Sequence, residues 1–315
     1  MSDRGAPGFP NGWYAVGWSK DLGVGDVRRI RYFDNEMVLF RGRSGEAHVL
    51  DAYCPHLGAH LAEGGRVQGE SVRCPFHGWE FDGASGECSK IPYCARIPTR
   101  ARVRAWDVCE RNHMIFVWHH AEGKPPGWDV PQIPYLDDPA WSPVRLWEAE
   151  VPVHIQDMAE NNLDPVHFEY VHKMTATPDT EISLEEDGRV MHAVSYSTQE
   201  TPLGAFDMQL VRKTWCIGLA SVESSGIPGV GLYMFTSTTP IDRDHTISRW
   251  ALTATNNAVD VAGEEWMANI TKGLSDDYQI WTNKIHRADP VLCEADTLLV
   301  EFRRWVKQFY SSEQT

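Results

Sequence analysis

The sequence predicts an α+β protein in two parts: an all-strand region, then an antiparallel sheet framed by helices. Three observations carry this. Short apolar runs split by turn residues fill the first 120 residues, a proline-rich segment follows, and apolar residues recur at helical spacing near the end. Trp13–Trp18, Met37–Phe40 and Ala47–Leu50 alternate with clusters of Gly, Asn, Asp and Ser, the composition of strands and turns. Gly42-Arg43-Ser44-Gly45 lies between two of these runs and predicts a hairpin, and Met114–Trp118 reads as a buried strand. Prolines at 125, 126, 131, 134, 139 and 143 make residues 121–143 an extended linker between a first domain over 13–120 and a second over 144–315. In the second, Val151–Lys173 reads as an interrupted helix, and strands are expected between Val190 and Leu252. Trp266, Ile270, Leu274, Tyr278 and Trp281 recur at spacings of three and four, which predicts a helix over Ala262–Lys284; Thr297–Tyr310 is a second amphipathic helix.

Bulk properties exclude several classes. The 315 residues leave room for two domains, at roughly 150 residues each. Acidic residues outnumber basic ones, 44 to 29, for a net charge of −15, which argues against nucleic-acid binding because that needs basic surface to displace counterions. No stretch supplies the roughly 20 apolar residues of a membrane span. Residues 1–12 are polar with Gly and Pro, unlike a signal peptide, so a cytoplasmic protein is expected. Seven cysteines, an odd number, do not form a disulfide framework of the secreted kind.

Two motifs carry chemistry. Cys54-Pro55-His56 is followed, 17 residues on, by Cys74-Pro75-Phe76-His77. Each arm offers one thiolate and one imidazole, the set a [2Fe–2S] cluster needs when two Cys bind one iron and two His the other. Tetrahedral zinc is the competing metal for a Cys₂His₂ set. Against it stand the uneven arms, the proline after each cysteine, and the Leu57-Gly58 and Gly78-Trp79 that follow the histidines, giving close backbone approach and an aromatic lid.

The second motif is Asn161-x-x-Asp164-Pro165-x-His167-x-x-x-x-His172. Two histidines and a carboxylate form the facial set of non-haem Fe(II) sites, which keep positions open for O₂. Residues five apart on a regular α-helix point about 140° away from each other, so His167 and His172 converge only if the turn is widened, as in a π-turn, or broken. Pro165 suits the start of a new helix, with Asp164 as its cap.

The first motif resembles the Rieske fingerprint, in the branch without the extra loop cysteines, and the second resembles the catalytic motif of Rieske oxygenase α-subunits. The resemblance spans about Trp13 to Tyr310 and implies an N-terminal Rieske β-sandwich domain and a C-terminal helix-grip (START-like) antiparallel-sheet catalytic domain. It implies Cys54, His56, Cys74 and His77 as cluster ligands, and His167 and His172 with a late Asp as ligands of a mononuclear iron. Asp277-x-x-Ile280 fits that last place, with Asp276 the alternative. The resemblance further implies a homotrimer in which Asp164 hydrogen-bonds a cluster histidine of the next subunit, His77 by expectation, with Asn161 near the iron.

Gly86–Tyr93, Asp277–Lys284, Glu294-Ala295-Asp296 and Arg303–Tyr310 are similar to the ketosteroid 9α-hydroxylase and cholesterol 7-desaturase branch. That implies a sterol- or steroid-like polycyclic substrate in a pocket lined by strands between Phe206 and Phe235. It also implies a monooxygenase reaction that hydroxylates, desaturates or oxidatively demethylates with O₂. Its electrons come from NAD(P)H through a separate ferredoxin or flavin reductase, since the chain has no Gly-x-Gly-x-x-Gly fingerprint. Arg100, Arg102 and Arg104 alternate and on a strand share one face, a candidate seat for an acidic electron donor beside the plainer reading of a solvated edge. Alternatives are a Rieske oxygenase for a non-steroid aromatic or an O- or N-methyl substrate, a pure electron carrier, and a sterol-binding sensor.

Overall fold

A computed structural model describes residues 8–201, 204–258 and 276–311. They form two compact units, one over Trp13–Pro131 and one that runs from Gln132 onward and takes in the residues before Trp13. The architecture is α+β, with antiparallel sheets and few helices.

The first unit holds three small sheets. β1 (Gly12–Trp18) pairs with β10 (Met114–His119), which pairs with β9 (Val108–Arg111). β2 (Val27–Tyr32), β3 (Asn35–Arg41) and β4 (Ala47–Asp51) form the second. β5 (Arg66–Gln68), β6 (Ser71–Arg73), β7 (Glu80–Asp82) and β8 (Cys88–Lys90) form the third. The expected hairpin joins β3 to β4, with Arg41 opposite Ala47 and the Gly42 N–H donating to the Glu46 carbonyl at 2.8 Å. Val38, Phe40, Leu50, Leu61, Val72 and Phe81 build a core that also takes in Cys54 and Cys74. Arg100–Arg104 form no strand. Glu87 and Arg102 make only an isolated bridge, and Arg102 N–H donates to the Arg100 carbonyl at 2.9 Å. The alternation survives in the extended chain, with Ala101 and Val103 buried and the three arginines exposed.

The second unit centres on a seven-stranded sheet in the order β11-β17-β16-β15-β14-β13-β12. The strands expected between Val190 and Leu252 are β13 (Val190–Thr201), β14 (Gly204–Cys216), β15 (Leu219–Ser225), β16 (Leu232–Pro240) and β17 (Thr246–Ala254). Sequence reading missed β11 (Arg145–Val151) and β12 (Asp179–Glu185). Both are edge strands: β12 is mostly exposed, and β11 interleaves Arg145, Glu148 and Glu150 with its apolar residues, so the apolar run is broken where the edge needs charge against further pairing.

The expected interrupted helix is α1 (Ile155–Asn161) and α2 (Val166–Tyr170). His154 Nδ1 caps α1 by accepting the Gln156 N–H at 3.3 Å. Of the helix expected over Ala262–Lys284, residues 276–281 are helical and end at Trp281, while Ala262–Ser275, with Trp266, Ile270 and Leu274, lie outside the described residues. Trp281 packs with Val151, Val153 and Met158, which ties this helix to α1 and the sheet. The expected last helix is α3 (Thr297–Trp305), tightening into a 3-10 turn over Val306–Phe309. Residues 121–143 are irregular apart from a 3-10 turn at Pro134–Leu136 and a bridge at Trp141. Among the described residues, no helix is long and apolar enough to cross a membrane.

Candidate metal centres

The two Cys-His arms are built alike. In the first, Cys54 N–H donates to the Ala59 carbonyl at 2.9 Å and Gly58 N–H to the Cys54 carbonyl at 2.9 Å. In the second, Cys74 N–H donates to the Trp79 carbonyl at 2.7 Å and Gly78 N–H to the Cys74 carbonyl at 3.1 Å. Each loop closes at a glycine with positive φ, +75° at Gly58 and +74° at Gly78, where a side chain would be strained. The second arm is the tip of the β6–β7 hairpin.

Both cysteines are buried and both histidines are partly exposed, so the thiol end of the set faces the core and the imidazole end faces outward. The two rings lie 4.7 Å apart, and Trp79 stacks on His56 at 4.7 Å with an 11° interplanar angle, the expected aromatic lid. Burial pushes the Cys54 thiol up to about 11, a cost that bonding to a cation removes. His56 Nδ1 is buried without a hydrogen-bond partner, as a nitrogen reserved for a metal would be. All seven cysteines are free of disulfides.

His167, His172 and Asp277 do close: one ligand atom from each lies within 4.8 Å of the others. The helix is broken rather than widened. α2 stops after Tyr170, Val171 N–H donates to the His167 carbonyl at 2.7 Å, and Lys173 at φ +60° turns the chain. His172 therefore sits beyond the helix end, and the 140° divergence of a regular helix no longer applies. Asp164 Oδ1 accepts the Val166 and His167 N–H groups at 3.0 and 3.4 Å, the predicted cap. The Asp164 carbonyl accepts His167 Nδ1–H. That bond leaves Nε2 as the lone-pair nitrogen, the arrangement of a metal-binding histidine. The Asn161 amide donates to this Nε2 at 3.4 Å.

His172 Nε2 lies 3.3 Å from Asp277 Oδ2. That hydrogen bond raises the His172 pKa, whereas burial lowers that of His167. Asp277 is buried and Asp276 is exposed, so Asp277 is the acid brought to the histidines. Two other triads, His154/Asp157/His286 and Glu46/His48/Glu70, have similar spacing. In the first, the Lys284 ammonium already holds Asp157 Oδ1 at 3.0 Å; in the second, Ser44 holds Glu70 at 2.8 Å.

Comparisons with known proteins agree with both centres. Residues 12–101 match the "Rieske [2Fe-2S] domain". Residues 117–310 match the "3-Ketosteroid 9alpha-hydroxylase C-terminal domain". The chain belongs to this family of Rieske non-haem iron oxygenases. A cholesterol 7-desaturase of Ciona intestinalis is 32% identical over 99% of this chain and 71% of its own. A Rhodococcus rhodochrous protein named "Probable 3-ketosteroid-9-alpha-monooxygenase, oxygenase component" is 31% identical over 96% of this chain and 80% of its own. Two solved structures share the fold. Dicamba monooxygenase bound to dicamba matches with a TM-score of 0.77 at 19% identity, covering 96% of this chain and 98% of that one. NdmA of Pseudomonas putida CBB5 with caffeine matches with 0.77 at 19%, covering 94% and 89%.

In this Rieske oxygenase a cavity of about 490 Å³ opens onto the triad, lined by His167, His172 and Asp277 at one end and by strand residues at the other. Its size suits a small-molecule site, typically about 300–1,000 Å³. Met158, Met208, Leu219, Val222, Met234 and Trp250 give it a largely apolar wall, which includes strands expected between Phe206 and Phe235. Sequence reading missed one wall residue, Arg212 on β14, which is only 2% exposed. No sequence signal singles it out: Arg212 and Lys213 face opposite ways on the strand, and only the structure shows that Lys213 is the one paired on the other face, with Glu185 at 2.8 Å.

Proposed function

We propose that this chain is the terminal oxygenase component of a monooxygenase acting on a sterol- or steroid-like polycycle, with electrons drawn from NAD(P)H through a separate reductase or ferredoxin. Cys54, His56, Cys74 and His77 are assigned to the cluster, and His167, His172 and Asp277 to the mononuclear iron. The observation that carries the reading is the convergence of those last three side chains within 4.8 Å at the end of a largely apolar cavity. When bound, the cluster supplies electrons and the iron supplies O₂ chemistry at the adjoining C–H bond.

The chain's own residues prepare the site. The Asp164 carbonyl fixes the His167 tautomer, and the break after Tyr170 swings His172 alongside. Asn161 lies beside this His167 nitrogen and lines the cavity without being assigned as a ligand. Asp164 is given the further task of linking this site to a cluster histidine of a neighbouring copy, in a homotrimer. The apolar wall, closed by Trp250 and Trp281, orients a rigid hydrocarbon and excludes water from the reacting carbon.

Support for the polycyclic substrate comes from the curated relatives, whose names are those of cholesterol 7-desaturases and a 3-ketosteroid monooxygenase, together with the cavity's size and lining. The test is turnover of a sterol and steroid panel by the iron-loaded protein with a generic ferredoxin, reductase and NADH, read by mass spectrometry. A product heavier by one oxygen, or lighter by two hydrogens, from at least one polycycle is expected. Oxidation of only single-ring or N-methyl compounds would reject the substrate class.

A further inference from the structure

Arg212 is the one charged side chain of the cavity wall, among the described residues, that the reaction described above leaves without a task. It sits on β14 between Ala193 on β13 and Val222 on β15, only 2% exposed. Its Nη2 donates to Ser195 Oγ, itself hydrogen-bonded to Thr180 Oγ1 at 2.6 Å. Its Nε and Nη1 are buried without any acceptor among the described residues. No carboxylate of the described residues pairs with it, whereas two other buried arginines are paired, Arg41 with Glu110 at 2.8 Å and Arg249 with Glu148 at 2.6 Å. Burial alone lowers the Arg212 pKa, to about 10. The guanidinium carbon lies 5.6 Å from the centre of the Phe168 ring, and that ring lies 5.6 Å from the His172 ring, so one aromatic side chain separates the cation from the iron triad.

A buried, uncompensated guanidinium is costly, and a structure retains one where a ligand's anion completes it. Arginine's planar fork matches a carboxylate, and desolvation strengthens the pair. We propose that Arg212 is a specificity-determining residue that receives an anionic carboxylate on the substrate, so that the favoured ligands of this oxygenase are acidic polycycles rather than neutral ones. The apolar wall holds the rings, and the salt link at Arg212 sets which end of the molecule lies at the triad. The inference rests on the polycyclic reading for the ring system and on Arg212 for the acid.

Equilibrium binding to the iron-loaded protein tests it, read by quenching of tryptophan fluorescence, since Trp250 and Trp281 line the cavity. The probes are two matched pairs: cholanic acid with its methyl ester, and 4-tert-butylbenzoate with its methyl ester. The acid of the steroid pair is expected to bind about ten- to hundredfold more tightly than the ester, the range for hydrogen bonds to a charged group. Arg212→Met is expected to abolish that preference while ester affinity stays within about threefold, which also shows that the variant folds. Arg212→Lys, keeping the charge and losing the fork, is expected to retain part of it.

Equal affinity for acid and ester in the wild-type protein overturns the proposal with no variant needed, and so does a preference that survives in Arg212→Met. Tight, equal binding of both steroid probes overturns the acid inference and leaves the polycyclic reading standing. Acid preference confined to the benzoate pair, with no steroid binding, upholds the role of Arg212 and removes the polycyclic reading.

Discussion

Replacing Arg212 by methionine is predicted to stabilise the ligand-free oxygenase. Burial lowers the pKa of the guanidinium from its ordinary value to about 10, and at about 1.4 kcal/mol per tenfold change in equilibrium constant that is an opposing contribution of about 3 kcal/mol. The sign follows from the direction. A base whose folded-state pKa is depressed destabilises the fold at every pH below the folded value, and the burden lifts only as pH rises beyond about 10 toward the ordinary guanidinium range. At neutral pH it is fully present. Methionine fills similar volume without the charge; loss of the bond to Ser195 returns about 1 kcal/mol, leaving a net gain of about 2 kcal/mol. For a unit of this size that is a rise of roughly 4–8 °C in melting midpoint. The assay is thermal and urea unfolding of the metal-loaded protein at pH 7, followed by tryptophan fluorescence. A loss of more than about 1 kcal/mol on substitution would refute the reasoning, because it would mean the guanidinium already has a partner that the methionine strands.

Three other outcomes are expected. His172→Ala should lower iron from three to two atoms per chain by elemental analysis while the visible spectrum of the cluster is unchanged; loss of both signals together would show that the two centres are not separable. Gly65→Ala should cut cluster occupancy, because a Cβ there meets the Leu61 carbonyl oxygen at 1.8 Å in the chain between the two arms; full visible absorbance per chain would contradict it. Asp157→Asn should cost about 3–5 kcal/mol, since burial drives the Asp157 pKa upward while His286 at 2.9 Å and Lys284 at 3.0 Å more than reverse it. With that pKa depressed, its stabilisation is present at neutral pH and fades as pH falls through the usual carboxylate range and below, so wild type and variant should converge in acid urea titrations.

Much of the candidate machinery was legible in the linear chain because it is local. Cys54, His56 and Gly58 share one short loop, as do Cys74, His77 and Gly78, and each loop folds on its own backbone hydrogen bonds. Asp164, Pro165, His167 and His172 likewise lie within one broken helix, whose cap and break are set by neighbours in sequence. The interior strands β13–β17 were visible from their apolar runs, whereas β11 and β12 were hidden because edge strands carry charge. Arg100–Arg104 alternate as a strand does, yet their pairing with Gly86–Cys88 stops at a single bridge, because alternation does not set how far a partner runs alongside.

Residue types and short spacings alone therefore announced a Cys/His pair of arms and a two-histidine turn, and the family resemblance added a late acid, Asp277 with Asp276 as the alternative. Which acid, and what surrounds it, had to await three-dimensional packing. Asp277 is about a hundred residues beyond His172, and only the docking of Trp281 against Val151, Val153 and Met158 brings it, and not Asp276, to the histidines. Arg212 is one cation among many in a list of letters. Its distinction is a buried position on the cavity wall with no carboxylate beside it among the described residues, made by strands and a helix that come from far apart along the chain. Burial is a property of the assembled structure, and no local pattern encodes it.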